Sequence, residues 1–331
     1  MIRLDNAPSM ISRFIAVFAL VVPATAAAGN IDQIQQLLGR MQHAAHTVSY
    51  DGTFVYSQNS QLTVMRLIHG ADEHGERERL VSLDSTGREV IRDKNGVTCI
   101  LPDSNAVVVE KKRPPVQFPP PFPEKIDHLS KQYYFMLKGE EKVAGQTAIK
   151  LVIEPRDALR YGHALWIDKK TGLLLKTYLL NEQGKPIEQF MFTHIKYLTQ
   201  VPDSLFKPAV DSRKFNWFEA NGKTTGDEKP AAKRRWQITK LPVGFKRDYQ
   251  GNLNSGHKDK ALDHLVFSDG LASISVFIED NNDADHLIGG TRMGAVNAHG
   301  RAYKDFHVTA VGEVPPATVK MISESVSWQQ Q

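Results

Sequence analysis

The chain carries one cysteine in 331 residues, so an internal disulfide is excluded. That residue, Cys99, lies in the apolar stretch Val97-Thr-Cys-Ile-Leu101 and reads as a buried thiol in a strand rather than a reactive one. Long apolar runs are scarce as well. The clearest, Phe14 to Val22, is about 9 residues, half of what a bilayer-spanning helix requires. Charge of one sign is also missing: 41 Lys and Arg face 37 Asp and Glu for a net charge of +4. Such a balance argues against a nucleic-acid partner, while a mildly basic surface suits anionic lipid head groups or an acidic protein. Catalytic signatures are absent too, with no HExxH, GxSxG, Walker loop or CxxC. The two Ser-x-x-Lys matches, Ser204 to Lys207 and Ser255 to Lys258, lack the motifs that accompany a penicillin-binding enzyme. No enzyme, no cofactor and no metal site is expected.

What is present begins with an export signal. Arg3 and Arg13 precede the apolar run, and Pro23 and Ala24-Thr-Ala-Ala-Ala28 follow it, which is the order of a secretory signal peptide. Residues 1–28 are read as that signal, with cleavage between Ala28 and Gly29, Ala24-Thr25-Ala26 being an alternative motif, and a periplasmic destination.

Beyond it, Ile31, Ile34, Leu37, Leu38, Met41 and Ala45 recur at helical spacing. From Tyr50 the period becomes two, and short strands follow between turn signals such as Asp93-Lys-Asn-Gly96. They cover 62–69, 78–83, 88–92, 97–101 and 106–110, then 133–137, 148–154, 163–168, 173–180 and 187–197. The proline-rich stretch Lys111 to Pro123 interrupts this meander, either as a stiff connector or as a flap bearing Phe118 and Phe122. A short helix is expected over 124–131. The division is 29–212 for the first domain, 213–235 for a linker that lets the domains move, and 236–331 for a smaller domain. In the latter, a hairpin turns at Asp269-Gly270, strands lie at 295–298 and 306–311 with Gly300 in the turn between, and a last helix starts at Pro315-Pro316. The fold class is mainly β (α+β).

Several polar groups invite chemistry. His43 and His46 lie one helical turn apart without further ligands, and a solvated face explains them. The run Asp280 to Asp285 lacks the Gly and distant Glu of an EF-hand. Glu154, Asp157 and Asp168 stand near strand ends with no acid–base partner. A curved antiparallel sheet does leave a concave face suited to acyl chains. Its candidate lining is Phe54, Tyr56, Met65, Leu67, Phe118, Phe122, Phe135, Leu151, Trp166 and Leu175, each of which also reads as ordinary sheet core.

Ser49-Tyr-Asp-Gly-Thr-Phe-Val-Tyr56, Met65-Arg-Leu-Ile-His69 and Leu165-Trp-Ile-Asp-Lys-Lys-Thr-Gly-Leu-Leu-Leu-Lys176 resemble the MucB/RseB family. Leu241-Pro-Val-Gly-Phe245, Phe267-Ser-Asp-Gly-Leu-Ala-Ser273, Arg292-Met-Gly-Ala-Val-Asn-Ala298 and Val311-Gly-Glu-Val-Pro315 continue the likeness through the second domain. The resemblance implies a large LolA-like half-barrel domain and a smaller antiparallel sheet domain with a C-terminal helix. It also implies a periplasmic negative regulator of a sigma-E type sigma factor. Such a protein binds the periplasmic domain of a single-pass anti-sigma factor, shields it from site-1 proteolysis, and releases it when a lipid or lipopolysaccharide fragment binds. Trp217, Phe267, Phe277, Arg292, Met293 and Arg301 are candidate peptide contacts, because aromatic and Arg side chains anchor such interfaces; a homodimer is a further possibility. The competing reading is a periplasmic lipid or lipoprotein carrier of LolA type without a signalling partner.

Overall fold

Alternation of apolar and polar side chains from Tyr50 onward builds one very wide sheet. The computed structural model describes residues 31–73, 75–84, 87–111, 126, 128–219, 236–254, 261–281 and 286–328. Helix α1 (Ile31–Thr47) comes first and buries Ile34, Leu37, Leu38, Met41 and Ala44 along one stripe, the spacing of an amphipathic helix on a sheet. Strands β1 (Tyr50–Gln58), β2 (Gln61–Asp72), β3 (Gly75–Ser82), β4 (Glu89–Asp93), β5 (Gly96–Leu101) and β6 (Ala106–Glu110) form a meander. Strands β7 (Tyr133–Val143), β8 (Gln146–Pro155), β9 (Gly162–Asp168), β10 (Leu174–Leu180) and β11 (Pro186–Tyr197) form a second one. The two join where β11 pairs with β1, giving the order β6-β5-β4-β3-β2-β1-β11-β10-β9-β8-β7.

A short strand, β12 (Asn216–Glu219), adds to the β6 edge in parallel. Residues 216–219 of the span expected as linker thus recover backbone hydrogen bonds at an open sheet edge. Residues 220–235, the proline-rich stretch 112–125 with Phe118 and Phe122, and residue 127 lie outside the described residues; of the helix expected over 124–131, the described part holds a single 3-10 turn, Leu129–Lys131.

The cross-strand register sorts the two faces. Leu137, Leu151, Leu165, Thr177, Phe190 and Tyr56 lie in one row across β7, β8, β9, β10, β11 and β1. Over β7 to β10 this face is covered by α1, in a core with Phe135, Leu151, Ile153, Leu165, Ile167 and Leu174. Toward β1 and β2 the covering thins, and Tyr56, Met65, Leu67 and Leu80 are only partly buried.

The second domain is a smaller antiparallel sheet. Strands β13 (Trp236–Ile238), β14 (Lys246–Asn254), β15 (Ala261–Ser268), β16 (Ser273–Asp280), β17 (Gly289–Met293), β18 (Val296–Tyr303) and β19 (Phe306–Gly312) precede helix α2 (Pro316–Ser325) and β20 (Val326–Trp328). The sheet order is β14-β15-β16-β19-β18-β17, with β13 and β20 as a separate pair. Ile274, Val276 and Ile278 alternate inward under Val319 and Ile322 of α2, and Pro316 opens the helix where no backbone N–H is needed.

Gly300 is not in a turn, as expected from sequence, but inside β18; the turn falls at Lys304, whose φ is 54°. A Cβ at Gly300 would lie 1.9 Å from the Leu287 carbonyl oxygen, so the glycine serves a close backbone approach instead. Among the described residues no helix is long and apolar enough to cross a membrane.

Candidate functional site

The two domains meet along a polar seam at the end of β8, β9 and β11. Its centre is Arg160, fully buried in the loop before β9. Arg160 donates from Nε to Asp157 Oδ1 at 3.1 Å and from Nη2 to Asp157 Oδ2 at 3.0 Å. It also donates to the second domain, through Nη2 to the Val243 carbonyl at 2.8 Å and through Nη1 to Asp269 Oδ2. The Tyr133 hydroxyl donates to the same Asp269 oxygen at 2.9 Å. Asp269 Oδ1 meanwhile accepts the Leu271 and Ala272 N–H groups, each at 2.9 Å. One carboxylate thus shapes the β15–β16 turn and fastens it to the first domain, and Leu271 from that turn packs on the α1 core. Burial, and then the Asp269 charge, push the Tyr133 hydroxyl above its ordinary range.

Further along, the Asn297 amide donates to the Tyr161 hydroxyl at 3.0 Å and the Thr318 hydroxyl to the Leu159 carbonyl at 2.8 Å. Glu188 on β11 accepts from Tyr56 Oη at 3.0 Å, from Ala295 N at 3.2 Å and from Gln58 Nε2. Tyr161, Leu179 and Ala295 add an apolar patch beside them. A desolvated charge network thus spans the two domains in this structure. Nearby, desolvation and then the Glu188 carboxylate push Glu313 up to about 7. Glu313 is nonetheless an exposed residue, so solvent screening keeps the energetic weight of that repulsion small.

The strand-end acids have structural work. Asp157 holds Arg160. Asp168 accepts the Lys170 and Thr171 N–H groups at 2.7 and 2.8 Å and the Tyr197 hydroxyl at 2.7 Å, which closes the turn between β9 and β10. His46 at the end of α1 lies 3.2 Å from Glu76.

His163, on the inward row of β9, has its ring pushed down to about 4 by burial. Folding therefore keeps the imidazole neutral where the unfolded chain, with an ordinary pKa near 6.5, binds a proton. Stability is fully present above about pH 6.5 and falls as pH drops toward 4, by up to about 3 kcal/mol. Urea unfolding between pH 4.5 and 7.5 measures this slope, and His163→Gln is expected to flatten it.

The lipid-pocket candidates fall into two groups. Phe54, Tyr56, Met65, Leu67 and Leu175 gather in one cluster with Phe190 and Phe192, and Phe135 and Leu151 lie under α1. Trp166 joins the first cluster as well, from the opposite cross-strand row. Its row is Lys150–Trp166–Lys176, the face opposite Leu165, and the two ammonium groups lie 4.8 and 4.1 Å from the ring centre. Its indole N–H donates to Glu141 at 2.7 Å. The alternation of β9 would have separated Trp166 from Leu165, had the register been known.

The peptide-contact candidates are more scattered. Trp217 is 59% and Met293 75% exposed. Arg292, also exposed, donates to the Gly294 carbonyl at 2.7 Å, shaping the β17–β18 turn that touches Gln58 and Glu188 of the first domain. Phe277 is half-buried against His264 with ring centres 4.5 Å apart. Phe267 is only 4% exposed, inside the second core, because its register position pairs with Ile274. Arg301 caps α2, donating to the Ser323 and Val326 carbonyls at 2.7 and 2.8 Å. Sequence reasoning missed Arg160, Tyr133 and Asp269 as partners. A buried Arg in an apolar neighbourhood leaves no local signal until a distant carboxylate is brought to it.

These features define a mainly β scaffold in which a wide curved sheet carries a smaller sheet domain docked through a buried ion pair. Residues 33–210 match the MucB/RseB N-terminal domain and residues 230–327 the MucB/RseB C-terminal domain. The chain is 33% identical over 315 residues, 93% of each sequence, to the sigma factor AlgU regulatory protein MucB of Pseudomonas aeruginosa. It is 25% identical over 303 residues, 89% of this chain and 91% of the relative, to the sigma-E factor regulatory protein RseB of Haemophilus influenzae. Among solved structures, MucB in complex with periplasmic MucA superposes with a TM-score of 0.66 at 28% identity, covering 89% of this chain and 99% of that one. The chain belongs to the MucB/RseB family.

Proposed function

We propose that this protein is a periplasmic negative regulator of an envelope-stress sigma factor. It binds the periplasmic domain of a single-pass anti-sigma factor and shields it from the site-1 protease. A lipid or lipopolysaccharide fragment then releases it. The observation that carries this reading is the likeness, across both domains, to a MucB solved with periplasmic MucA. The exposed Arg292 and Met293 beside the seam offer a peptide a cationic and an apolar anchor. The partly exposed strip Tyr56, Met65, Leu67 and Leu80 is where the curved face has apolar surface left for an acyl chain.

Release is linkage: a ligand that prefers the free regulator shifts the equilibrium away from the complex by its difference in affinity for the two states. The test uses the mature protein and the periplasmic fragment of the anti-sigma factor from the same genome. Retention of the fragment on immobilised protein, with slower site-1 cleavage in its presence, is expected. Replacing Met293 by Asp is expected to weaken retention at least tenfold while leaving the melting temperature unchanged, since the side chain lies in solvent. No retention by the wild-type protein removes the reading.

A further inference from the structure

We propose that Glu279, His286 and His307 form a zinc site at the end of the second sheet remote from the seam. Glu279 on β16 and His307 on β19 are direct cross-strand partners, so their side chains rise from one face at neighbouring positions. His286 arrives from the segment leading into β17. That segment lies close on the sheet because Gly300 admits the Leu287 carbonyl where any side chain would collide. The two imidazoles stack with centres 4.3 Å apart and planes 7° from parallel.

The tautomer of His307 is decided by its neighbour. Its Nε2 lies 2.7 Å from the Leu287 carbonyl oxygen, which can only accept, so Nε2 carries the hydrogen. In the neutral ring, Nδ1 then carries the lone pair, which accepts from the Thr309 hydroxyl at 3.3 Å. A backbone carbonyl holding the remote ring nitrogen is the usual way a metal-binding histidine is oriented. From Glu279 Oε1, His286 Nδ1 is 3.5 Å and His307 Nδ1 is 3.8 Å away. A cation at this point would take over the His307 lone pair and neutralise the Glu279 carboxylate beside it. All three ligand atoms lie within 4.8 Å of one another.

A tetrahedral zinc with bonds of about 2.05 Å sets its ligands about 3.3 Å apart. The two gaps to Glu279 need to close by only a few tenths of an ångström, and one of the stacked rings must turn for both Nδ1 lone pairs to meet the ion. Side-chain exposure grades from 2% at His307 through 13% at His286 to 37% at Glu279, which leaves the fourth position to water. Two imidazoles and one carboxylate select a borderline ion such as zinc over calcium or magnesium, which take oxygen ligands. The second cluster of this kind, His69, Glu76 and Glu78, differs in one respect: Arg92 already pairs with Glu78, so a cation is in place.

The experiment is calorimetric titration of Zn²⁺ into the chelator-stripped mature protein at pH 7.5, with Ca²⁺ as the comparison ion. One saturating equivalent of Zn²⁺ is expected, with a rise in melting temperature. Glu279→Gln, isosteric and half-exposed, and His286→Ala are each expected to weaken that equivalent at least tenfold while melting normally without metal. The assignment is overturned if the wild-type protein shows no saturable equivalent. It is equally overturned if both variants retain it, or if Ca²⁺ fills it as tightly as Zn²⁺.

Discussion

Replacing Arg160 by methionine is expected to lower the unfolding free energy by about 3–5 kcal/mol, the cost of leaving a buried charge without its partner. Asp269 is 5% exposed and would keep only the Tyr133 hydroxyl and two turn amides as partners. Arg160→Lys is expected to do little better. A single ammonium cannot reach Asp157, Asp269 and the Val243 carbonyl together, whereas the guanidinium fork does. Arg160→Met combined with Asp269→Asn is expected to be less damaging than the two separate losses added together, by at least about 1 kcal/mol, because the second change removes the stranded charge. Urea unfolding followed by tryptophan fluorescence of the wild type, the three single variants and the double variant measures these differences. A loss below about 1 kcal/mol for Arg160→Met would show that the seam contributes little to folding. Limited proteolysis gives a second reading, since undocked domains expose the β15–β16 turn.

The second large effect concerns the aromatic belt on the curved face. Phe192 is 2% exposed and meets Tyr50, Phe54 and Phe190 edge-on at 5.6, 6.0 and 5.2 Å between ring centres. Phe192→Ala is expected to cost about 3–5 kcal/mol, as lost transfer energy plus the cavity left behind. Gly52, one strand over, has no room for a side chain: a Cβ there would lie 2.5 Å from Phe192 Cε1. Gly52→Ala alone is expected to cost about 1–3 kcal/mol by overpacking. In the double variant the new methyl enters the space the ring has vacated. Its cost should therefore fall short of the sum by at least about 1 kcal/mol. Strict additivity in thermal or urea unfolding would mean that the two positions do not share this space.

Much of this architecture can be read before any coordinates are seen. Helical spacing from Ile31 and the shift to period two at Tyr50 place α1 and β1. The Asp-Gly and Asn-Gly turns place hairpins at Asp269-Gly270 and at Asn95-Gly96. These features are local, because a helix stripe or a tight turn is set by residues within a few positions of one another. Three other kinds of feature were decided only in the folded chain. Which face Trp166 looks toward depends on the register with β8 and β10, settled by strands distant in sequence. Gly300 reads as a turn residue on its own, and its place inside β18 makes sense only once Leu287 lies against it. The seam joins Arg160 to Asp269, 109 residues later. Alternation, caps and turns act at short range and leave their mark in the order of residues. Buried charge pairs and close backbone contacts act through space, so a chain that lacks disulfides and catalytic motifs keeps its most consequential contacts hidden until it folds.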